Sequence, residues 1–366
     1  MIRWIGISSV IVLLIMAGIL AVRDQDFERS DSRQKRGVAV VMTGFSGDHS
    51  WNESHYEALE RVAERLNLEM DYCENVPTDS TASSIMEKAI RNGAKIIIAN
   101  SNGYGSMALN VARKHPEVSF LHATGVRTAS NLSTFFGRIY QMRYLSGMVA
   151  GAKTKTNKIG YIAAFNYSEV NRGINAFALG VQRVNPEAKV YVSWSNSWGD
   201  ESMAADATRD LIDKHKIDVL TAHVNALSPY EIADEKNIWI VGYNKDNSAR
   251  FPKHFLTAPI WHWEVIYEPC INDALQGKPM GKNYWLGLES GLIDLAPMSE
   301  HVPDSVRQMV NREWERLKYG TFDVFQGPLV DNHGVLRVEK GESMTDDDLL
   351  NHFDWYVKGV VDGLKP

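Results

Sequence analysis

Residues 37–66 read GVAVVMTGFSGDHSWNESHYEALERVAERL, and this stretch predicts a buried strand, a glycine-bearing loop and an amphipathic helix. The run from Val38 to Met42 is apolar and rich in β-branched residues, as a central parallel strand requires. Ser50, followed three residues later by Glu53, is typical of a capping box that begins a helix. The loop before this helix therefore lies at the carboxyl end of a strand, where open α/β sheets bind ligands.

The alternation of strand and helix continues along the chain. Apolar, strand-like runs recur, and amphipathic stretches separate most of them, which favours βαβ units and parallel sheets. A second opening, IGYIAAFNYSEVNRG at residues 159–173, resembles the first. Two such openings predict two lobes with a cleft between them, and 366 residues are enough for two cores. The predicted strands are residues 38–42, 69–72, 95–99, 119–122, 158–164, 189–193, 218–222 and 238–242.

The composition is that of an ordinary folded protein, with 44% hydrophobic and 23% charged residues. The formal net charge of −6 argues against nucleic acid as a main partner. Cys73 falls in a strand pattern and Cys270 in a helix pattern. We expect both to be buried free thiols, and a disulfide between them stays open at this point.

The first 36 residues are predicted to be a signal peptide or membrane anchor followed by a charged tether. Residues 4–22 are uncharged and mostly apolar, and at about 1.5 Å per residue they reach roughly 28 Å, near the thickness of a bilayer core. Residues 19–21 would serve as a cleavage site for a signal peptidase, and an uncleaved segment would remain as an anchor. We expect the rest of the chain outside the cytoplasm, in the periplasm or on the outer face of the cell membrane.

Motifs of catalysis are absent from the sequence, which contains no GxSxG, Walker A, HExxH or CxxC pattern. The run of acids at residues 346–348 fits the solvated start of a helix better than a metal site. We therefore expect a protein that is not an enzyme and that needs no metal or cofactor.

Nearly every predicted strand ends in an aromatic or an amide side chain. Aromatic faces stack on planar rings, and a few amides can fix a ligand's orientation by hydrogen bonds. The amide of Asn225 both donates and accepts, so it can pair with the edge of a nucleobase. The pattern predicts a cleft lined by Phe45, Trp51, Asn102, Phe165, Trp198, Asn225, Tyr243 and Asp246.

The chain resembles the basic-membrane-protein family of periplasmic-binding-type proteins, which includes purine and purine-nucleoside receptors of ABC transporters. The resemblance covers residues 37–363 and is carried by TGFSGDHSWNES (43–54), IIIANSNGYGSMALNVARKHPEVSFLHATG (96–125), YLSGMVAGAKTKTNKIGYIAAF (144–165), NPEAKVYVSWSNSWGDES (185–202), IVGYNKDNS (240–248) and GLIDLAPM (291–298). The motifs NSWGDE, GYNKDNS and IWHW are similar to the branch that binds free purine bases such as adenine. A cysteine for lipid attachment, usual in the family, is missing after the leader.

The resemblance implies an α/β fold of the type I periplasmic-binding kind, with two doubly wound parallel-sheet lobes and a ligand cleft between them. We predict a first lobe of residues 37–139 and 260–292, a second lobe of residues 140–259 and 293–330, and a C-terminal strap of residues 331–366. The hinges between the lobes are expected at residues 134–140, 256–260 and 289–294.

By position, the resemblance implies that Trp51 and Trp198 hold the base between them. Asn225 stands where the base-binding branch usually has an acid, and Asn244 and Trp261 replace the ribose-binding Asp and Lys of nucleoside receptors. The expected function is capture of an adenine-like purine base for an ABC permease. The alternatives are a membrane-anchored purine sensor that signals to a partner protein and a binding protein for a ligand outside the purines.

Overall fold

The computed structural model describes residues 34–362, and these alternate between strands and helices almost throughout. The predicted leader and the beginning of the tether lie outside the described residues. The strands are β1 (Gln34–Val41), β2 (Leu68–Cys73), β3 (Ile96–Ala99), β4 (Ser119–Ala123), β5 (Leu132–Gly137), β6 (Lys158–Ala163), β7 (Lys189–Trp194), β8 (Val219–His223), β9 (Trp239–Val241), β10 (Phe255–Thr257), β11 (Pro259–Trp261), β12 (Asn283–Leu286), β13 (Ile293–Leu295), β14 (Leu329–Val330), β15 (Leu336–Val338) and β16 (Val360–Asp362). The helices are α1 (Trp51–Leu66), α2 (Ser80–Arg91), α3 (Gly105–Lys114), α4 (Tyr140–Lys153), α5 (Ser168–Val184), α6 (Glu201–His215), α7 (Ser228–Glu235), α8 (Glu264–Leu275), α9 (Asp304–Lys318) and α10 (Asp346–Asn351).

Two six-stranded parallel sheets form the cores of two lobes. The first sheet has the strand order β12-β5-β4-β3-β1-β2, and the second has the order β10-β9-β8-β6-β7-β16. Central strands such as β3, with the sequence IIIA, are buried along their whole length, as helices on both faces of a parallel sheet require. The predicted α/β architecture with two parallel-sheet lobes is confirmed.

The helices α4 and α5 pack against each other more closely than ordinary side chains would allow. A Cβ atom on Gly147 would lie 2.1 Å from the carbonyl oxygen of Phe177, and one on Gly180 would lie 1.9 Å from that of Tyr144. Glycine at both positions therefore sets the distance between the two helices. Because α5 follows β6, this packing fixes the loop at the carboxyl end of that strand.

The three segments expected to be hinges come together in space. Strand β11 pairs in antiparallel fashion with β13, outside both large sheets. A Cβ atom on Gly137, at the end of β5, would lie 2.6 Å from the Trp261 ring and 2.9 Å from Ile293. The limits that the sequence suggests for the two lobes stay a prediction.

The C-terminal segment contacts parts of both sheets. Strands β14 and β15 form a small hairpin, and β16 adds an outer strand to the second sheet beside β7. Helix α10 ends at Asn351 and its Asp346 accepts two hydrogen bonds from Arg138, both 2.7 Å long, and one from the indole nitrogen of Trp285 on β12. The segment thus joins the edge of the first sheet to the second lobe.

Two expectations from the sequence are wrong in detail. Ser50 does precede α1, but its side chain makes no capping hydrogen bond, because the carboxylate of Asp48 accepts the backbone N–H groups of Ser50, Asn52 and Glu53 instead. Both cysteines are free, but only Cys270 is buried, since Cys73 at the end of β2 is half-buried.

Within residues 34–362, no helix is both long enough and apolar enough to cross a lipid bilayer. In the same part of the chain, no group of three or more His, Cys, Asp or Glu side chains is placed to hold a metal ion.

Candidate ligand-binding site

Two aromatic rings lie at the carboxyl edge of the second sheet. Phe165 follows β6 and Trp198 follows β7, and their ring centroids are 6.0 Å apart in an edge-to-face arrangement. Tyr167 stacks on Phe165 from the other side, at 5.5 Å. Both Phe165 and Trp198 are half-buried, so each leaves part of its ring accessible.

The loop that carries Trp198 is fixed to the end of β8. The backbone N–H of Asn225 donates to the carbonyl oxygen of Trp198 over 2.6 Å. The amide side chain of Asn225 is half-buried, and it makes no hydrogen bond among the described residues. The sequence-predicted residues Phe165, Trp198 and Asn225 are therefore brought together at one sheet edge.

A polar cluster lies beside these rings and centres on His223, the last residue of β8. Its Nε2 atom is 3.0 Å from the Glu169 carboxylate and 3.0 Å from the Tyr243 hydroxyl, and its Nδ1 atom is 3.1 Å from the Tyr161 hydroxyl. The His223 ring also lies 5.9 Å from that of Trp198. A carboxylate only accepts hydrogen bonds, so His223 carries its proton on Nε2 and accepts from Tyr161 at Nδ1.

The charges of this cluster follow from its surroundings. Burial lowers the pKa of His223, and the nearby charge of Arg143 works in the same direction against the attraction of Glu169. Burial alone would raise the pKa of Glu169, but His223, Arg172 and Arg143 outweigh it and hold that pKa below its ordinary value. The site therefore presents a neutral imidazole and an ionised carboxylate at neutral pH.

The positive charge that acts on this cluster comes from two buried arginines, Arg143 and Arg172. Arg143 donates to the Thr221 hydroxyl and to the Ala222 carbonyl oxygen, and its guanidinium carbon lies 3.7 Å from the centroid of the Tyr243 ring. Arg172 donates to the carbonyl oxygen of Leu349. Neither guanidinium makes a direct ion pair with Glu169 among the described residues.

On the first lobe, Trp51 is held in a fixed orientation at the start of α1. Its indole N–H donates to the carbonyl oxygen of Asn100 over 2.8 Å. The rings of His55 and Trp263 meet it edge to face, at centroid distances of 4.3 and 5.3 Å. Trp263 in turn stacks on Trp261 at 4.2 Å, so Trp51 belongs to an aromatic cluster at the carboxyl edge of the first sheet.

The two lobes contact each other beside these rings. Asn244 donates from its side chain to the Ser50 hydroxyl, and Asn247 donates to the carbonyl oxygen of His49. Lys245 reaches α1 and pairs with Glu53 at 2.5 Å and Glu57 at 2.7 Å. Because Asn244 follows Tyr243 and Ser50 precedes Trp51, these contacts place the start of α1 next to the segment that follows β9.

The remaining predicted residues lie in different surroundings. Tyr243 is buried, and its hydroxyl is occupied by His223. Phe45 is 65% exposed. Asn102 is exposed on the short 3₁₀ turn Asn102–Tyr104, and Asp246 is exposed and accepts the backbone N–H of Ser248. The structure therefore does not bring Phe45, Asn102 and Asp246 into contact with the polar cluster.

Sequence reasoning missed Glu169 as a site residue and left His223 out of the predicted lining. Both occur in the stretches that were recognised, Glu169 in the second strand–loop–helix opening and His223 at a strand end. Their meeting depends on β6 and β8 being neighbours in the sheet, which the order of strands along the chain does not reveal. The sequence signal that could have identified Glu169 was its position, as a charged residue in the first turn of the helix that follows β6.

A separate cavity of about 670 Å³ opens at the other end of the first lobe, lined by residues that include Lys95, Ser119, Asn131 and Lys278. These residues lie at or before the amino ends of β3, β4, β5 and β12. Since parallel sheets bind ligands at the carboxyl ends of their strands, we assign the ligand site to the cleft and not to this cavity.

Two known proteins are similar in sequence to this chain over most of its length. The chain is 34% identical over 335 residues to a purine-binding protein of Brucella abortus. The matched region covers 91% of this chain and 95% of the relative. It is also 34% identical over 325 residues to a putative ABC transporter glucose-binding protein of Haloferax volcanii, covering 88% of this chain and 80% of the relative.

Solved structures show the same fold at lower identity. A solute-binding protein of an ABC transporter system from Aeropyrum pernix superposes with a TM-score of 0.69 at 16% identity, over 78% of this chain and 92% of that one. A solute-binding protein from Conexibacter woesei gives 0.65 at 21% identity, over 78% and 97%. These neighbours are periplasmic solute-binding proteins of the type I fold, as the sequence predicts.

Most of the chain also matches a whole protein family. The family described as "ABC transporter substrate-binding protein PnrA-like", or Bmp, matches residues 35–324, which contain both sheets except for β16. Members of such a family are binding proteins, and membership implies a small-molecule ligand and a transporter partner. The chain belongs to the PnrA-like, or Bmp, family of ABC transporter substrate-binding proteins.

Proposed function

We propose that this protein captures an adenine-like purine base outside the cytoplasm and delivers it to an ABC permease. The observation that carries the proposal is the arrangement at the carboxyl edge of the second sheet. There, the half-buried Trp198 and the partly exposed carboxylate of Glu169 both lie against the ring of His223. An aromatic face binds a flat ring, and a polar group next to it fixes the orientation of that ring.

The positions that contact ribose in nucleoside receptors favour a free base in this chain. Asn244 and Trp261 are 1% and 5% exposed, and the Trp261 indole N–H donates to the Asn244 side-chain oxygen over 2.9 Å. The amide of Asn244 is further occupied by Ser50. Because these two side chains bind each other and are almost completely buried, they are poorly placed to bind a ribose.

The mechanism is capture by closure of the two lobes. Trp51 on the first lobe and Trp198 on the second would cover the two faces of the base. The contacts of Asn244, Lys245 and Asn247 with the start of α1 would then form only when the lobes are closed. A ligand that binds both rings shifts the equilibrium towards this closed state, because only the closed state offers it both contacts.

A sugar is the second candidate ligand. The relative from Haloferax volcanii is named a putative glucose-binding protein and is as similar to this chain as the purine-binding relative is. An aromatic ring beside a carboxylate also suits a pyranose, since the carboxylate can accept hydrogen bonds from its hydroxyl groups. Glucose therefore belongs in any ligand screen of this protein.

A membrane-anchored purine sensor would use the same cleft and differ only in its partner. Genes for a permease and an ATPase next to the gene of this protein favour transport. A neighbouring kinase or cyclase gene favours signalling. Residues 1–33, which would form the anchor, lie outside the described residues.

The first test is a ligand screen of the purified full-length protein by thermal shift, followed by calorimetry. The panel is adenine, guanine, hypoxanthine, xanthine, their nucleosides and glucose. We expect binding of one or more bases, and the matched nucleosides serve as controls that should not bind. Binding of glucose alone would replace the purine assignment, and binding of nucleosides as tightly as bases would contradict the role given to Asn244 and Trp261.

A further inference from the structure

The Glu169 carboxylate, a charged group of the cleft, makes few hydrogen bonds to its neighbours. One of its oxygens is 3.0 Å from His223 Nε2, and this is its single hydrogen bond within residues 34–362. Its side chain is 28% exposed, whereas that of His223 is 1% exposed. The carboxylate therefore keeps capacity to accept a further hydrogen bond on its exposed part.

The nearby cations are already occupied by other groups. Arg143 is held by Thr221, Ala222 and the face of Tyr243, and Arg172 by the carbonyl oxygen of Leu349. Both lie close enough to keep Glu169 ionised, but neither forms an ion pair with it within the described residues. The second oxygen of this carboxylate therefore remains open to a donor from a ligand.

We propose that Glu169 is a specificity-determining residue, whose free carboxylate oxygen accepts an N–H hydrogen bond from a base that lies against Trp198. The cleft then selects purines that carry an amino group on that edge. This inference rests on the proposed function and assigns the polar contact that the aromatic rings cannot provide. Asn225 follows His223 by two residues, and its mixed donor and acceptor amide suits the ring nitrogens next to such an amino group.

The energetic reason is the asymmetry of buried hydrogen bonds. An acceptor that is covered by a ligand without a donor loses its water and gains nothing in return. Sites built in this way discriminate strongly against analogues that lack the donor. Hydrogen bonds to an ionised carboxylate are also stronger than those between neutral groups.

The test compares adenine with unsubstituted purine, which lacks the amino group, by calorimetry on the full-length protein and its E169Q variant. In the variant, His223 Nε2–H still claims the amide oxygen, so the amide NH₂ group points at the ligand and opposes its amino group. We expect the wild type to prefer adenine by about tenfold or more, and this preference to fall below about threefold in the variant. The affinity for unsubstituted purine should change little, which also shows that the variant is folded.

The matched control is D206N, which removes one carboxylate from an exposed position on α6 in the same lobe. It should keep the full preference for adenine. A second variant, E169D, keeps the charge but withdraws the carboxylate by one methylene, and it should weaken adenine more than unsubstituted purine. If the ratio of the two affinities is unchanged in E169Q and E169D, the role of Glu169 is wrong although purine binding stands. If the wild type binds no purine at all, both proposals fall.

Discussion

Trp198 and Trp51 differ in how firmly the fold holds their rings. Trp51 is tied down by its indole N–H and enclosed by Trp263 and His55. Trp198 contacts Phe165 and His223 through its ring edges and is anchored mainly by the hydrogen bond from Asn225 to its backbone. Removing Trp51 would therefore disturb the first lobe as well as the site, whereas removing Trp198 tests the site itself.

For Trp198→Ala we expect purine affinity to fall by about tenfold or more, because base–aromatic stacking contributes roughly 1–3 kcal/mol per ring. Calorimetry with the tightest base of the screen measures the change. Trp314→Ala is the matched control, since Trp314 is also half-buried but lies on α9 and contacts Lys318. Equal affinities for the Trp198 variant and the wild type would remove Trp198 from the site.

The sequence predicted the aromatic residues of the candidate site but not its charged residue, Glu169. Phe165 and Trp198 follow recognisable strands, so their position at a sheet edge can be read from the pattern. Glu169, His223 and Tyr243 come from segments around β6, β8 and β9, and they meet because those strands are adjacent. That adjacency is a property of tertiary packing, which a pattern of residues along the chain does not contain.

Among the elements, the start of α1 shows how tertiary contacts override a local motif. The Ser50 hydroxyl is used by Asn244 of the other lobe, and Asp48 takes over the capping of the helix. A carboxylate at a helix N-terminus also interacts favourably with the helix dipole. Asp48 thus caps the helix, while Ser50 contacts the other lobe.

This division predicts that two alanine variants lose stability to different extents. Asp48→Ala should lower the free energy of unfolding by about 0.5–2 kcal/mol, the usual contribution of a capping side chain. Ser50→Ala should change it much less, since its hydroxyl makes no capping bond. Urea denaturation of the ligand-free proteins measures both. A larger loss of stability in the Ser50 variant would mean that the hydroxyl caps the helix after all.

The elements that the sequence missed have a physical reason for being missed. Strand β12, with the sequence NYWL, is only four residues long, and it pairs with the edge of β5. Strand β16 is likewise three residues long and is created by pairing with β7. Most central strands were predicted because burial on both faces favours apolar residues along the strand, whereas the buried strand β5, which contains Ser133 and Thr134, was missed.

For the whole molecule, we expect the contact between Lys245 and α1 to make closure of the two lobes dependent on pH. Burial alone would raise the pKa of Glu53, but Lys245, together with His49, outweighs it and holds that pKa below its ordinary value. His49 lies next to Glu53 on the same lobe, so its contact does not require closure. Only Lys245 comes from the other lobe, so only its contribution depends on closure. The Lys245–Glu53 pair therefore stabilises the closed state at pH values above the ordinary pKa of Glu53. This stabilisation is lost as the pH falls through the lowered pKa that Glu53 has in the closed state.

We therefore expect the ligand affinity of the wild type to fall as the pH is lowered from 7 towards 4. In Lys245→Met the affinity should already be weaker at pH 7 and should fall less steeply. Lys253→Met, at an exposed position, is the control for the loss of a positive charge. Calorimetry across this range gives the profiles. Parallel profiles for the wild type and the Lys245 variant would show that the pair does not contribute to closure.

The strand order of the first sheet has a consequence for how the protein is made. Its outer strand β12 comes from residues that the ribosome adds only after β6 to β10 of the second lobe have been synthesised. Until then the edge of β5 has no neighbour on that side, and a bare strand edge is a template for pairing with other chains. The nascent first lobe is therefore open to wrong pairing along the edge of β5 until β12 has been made.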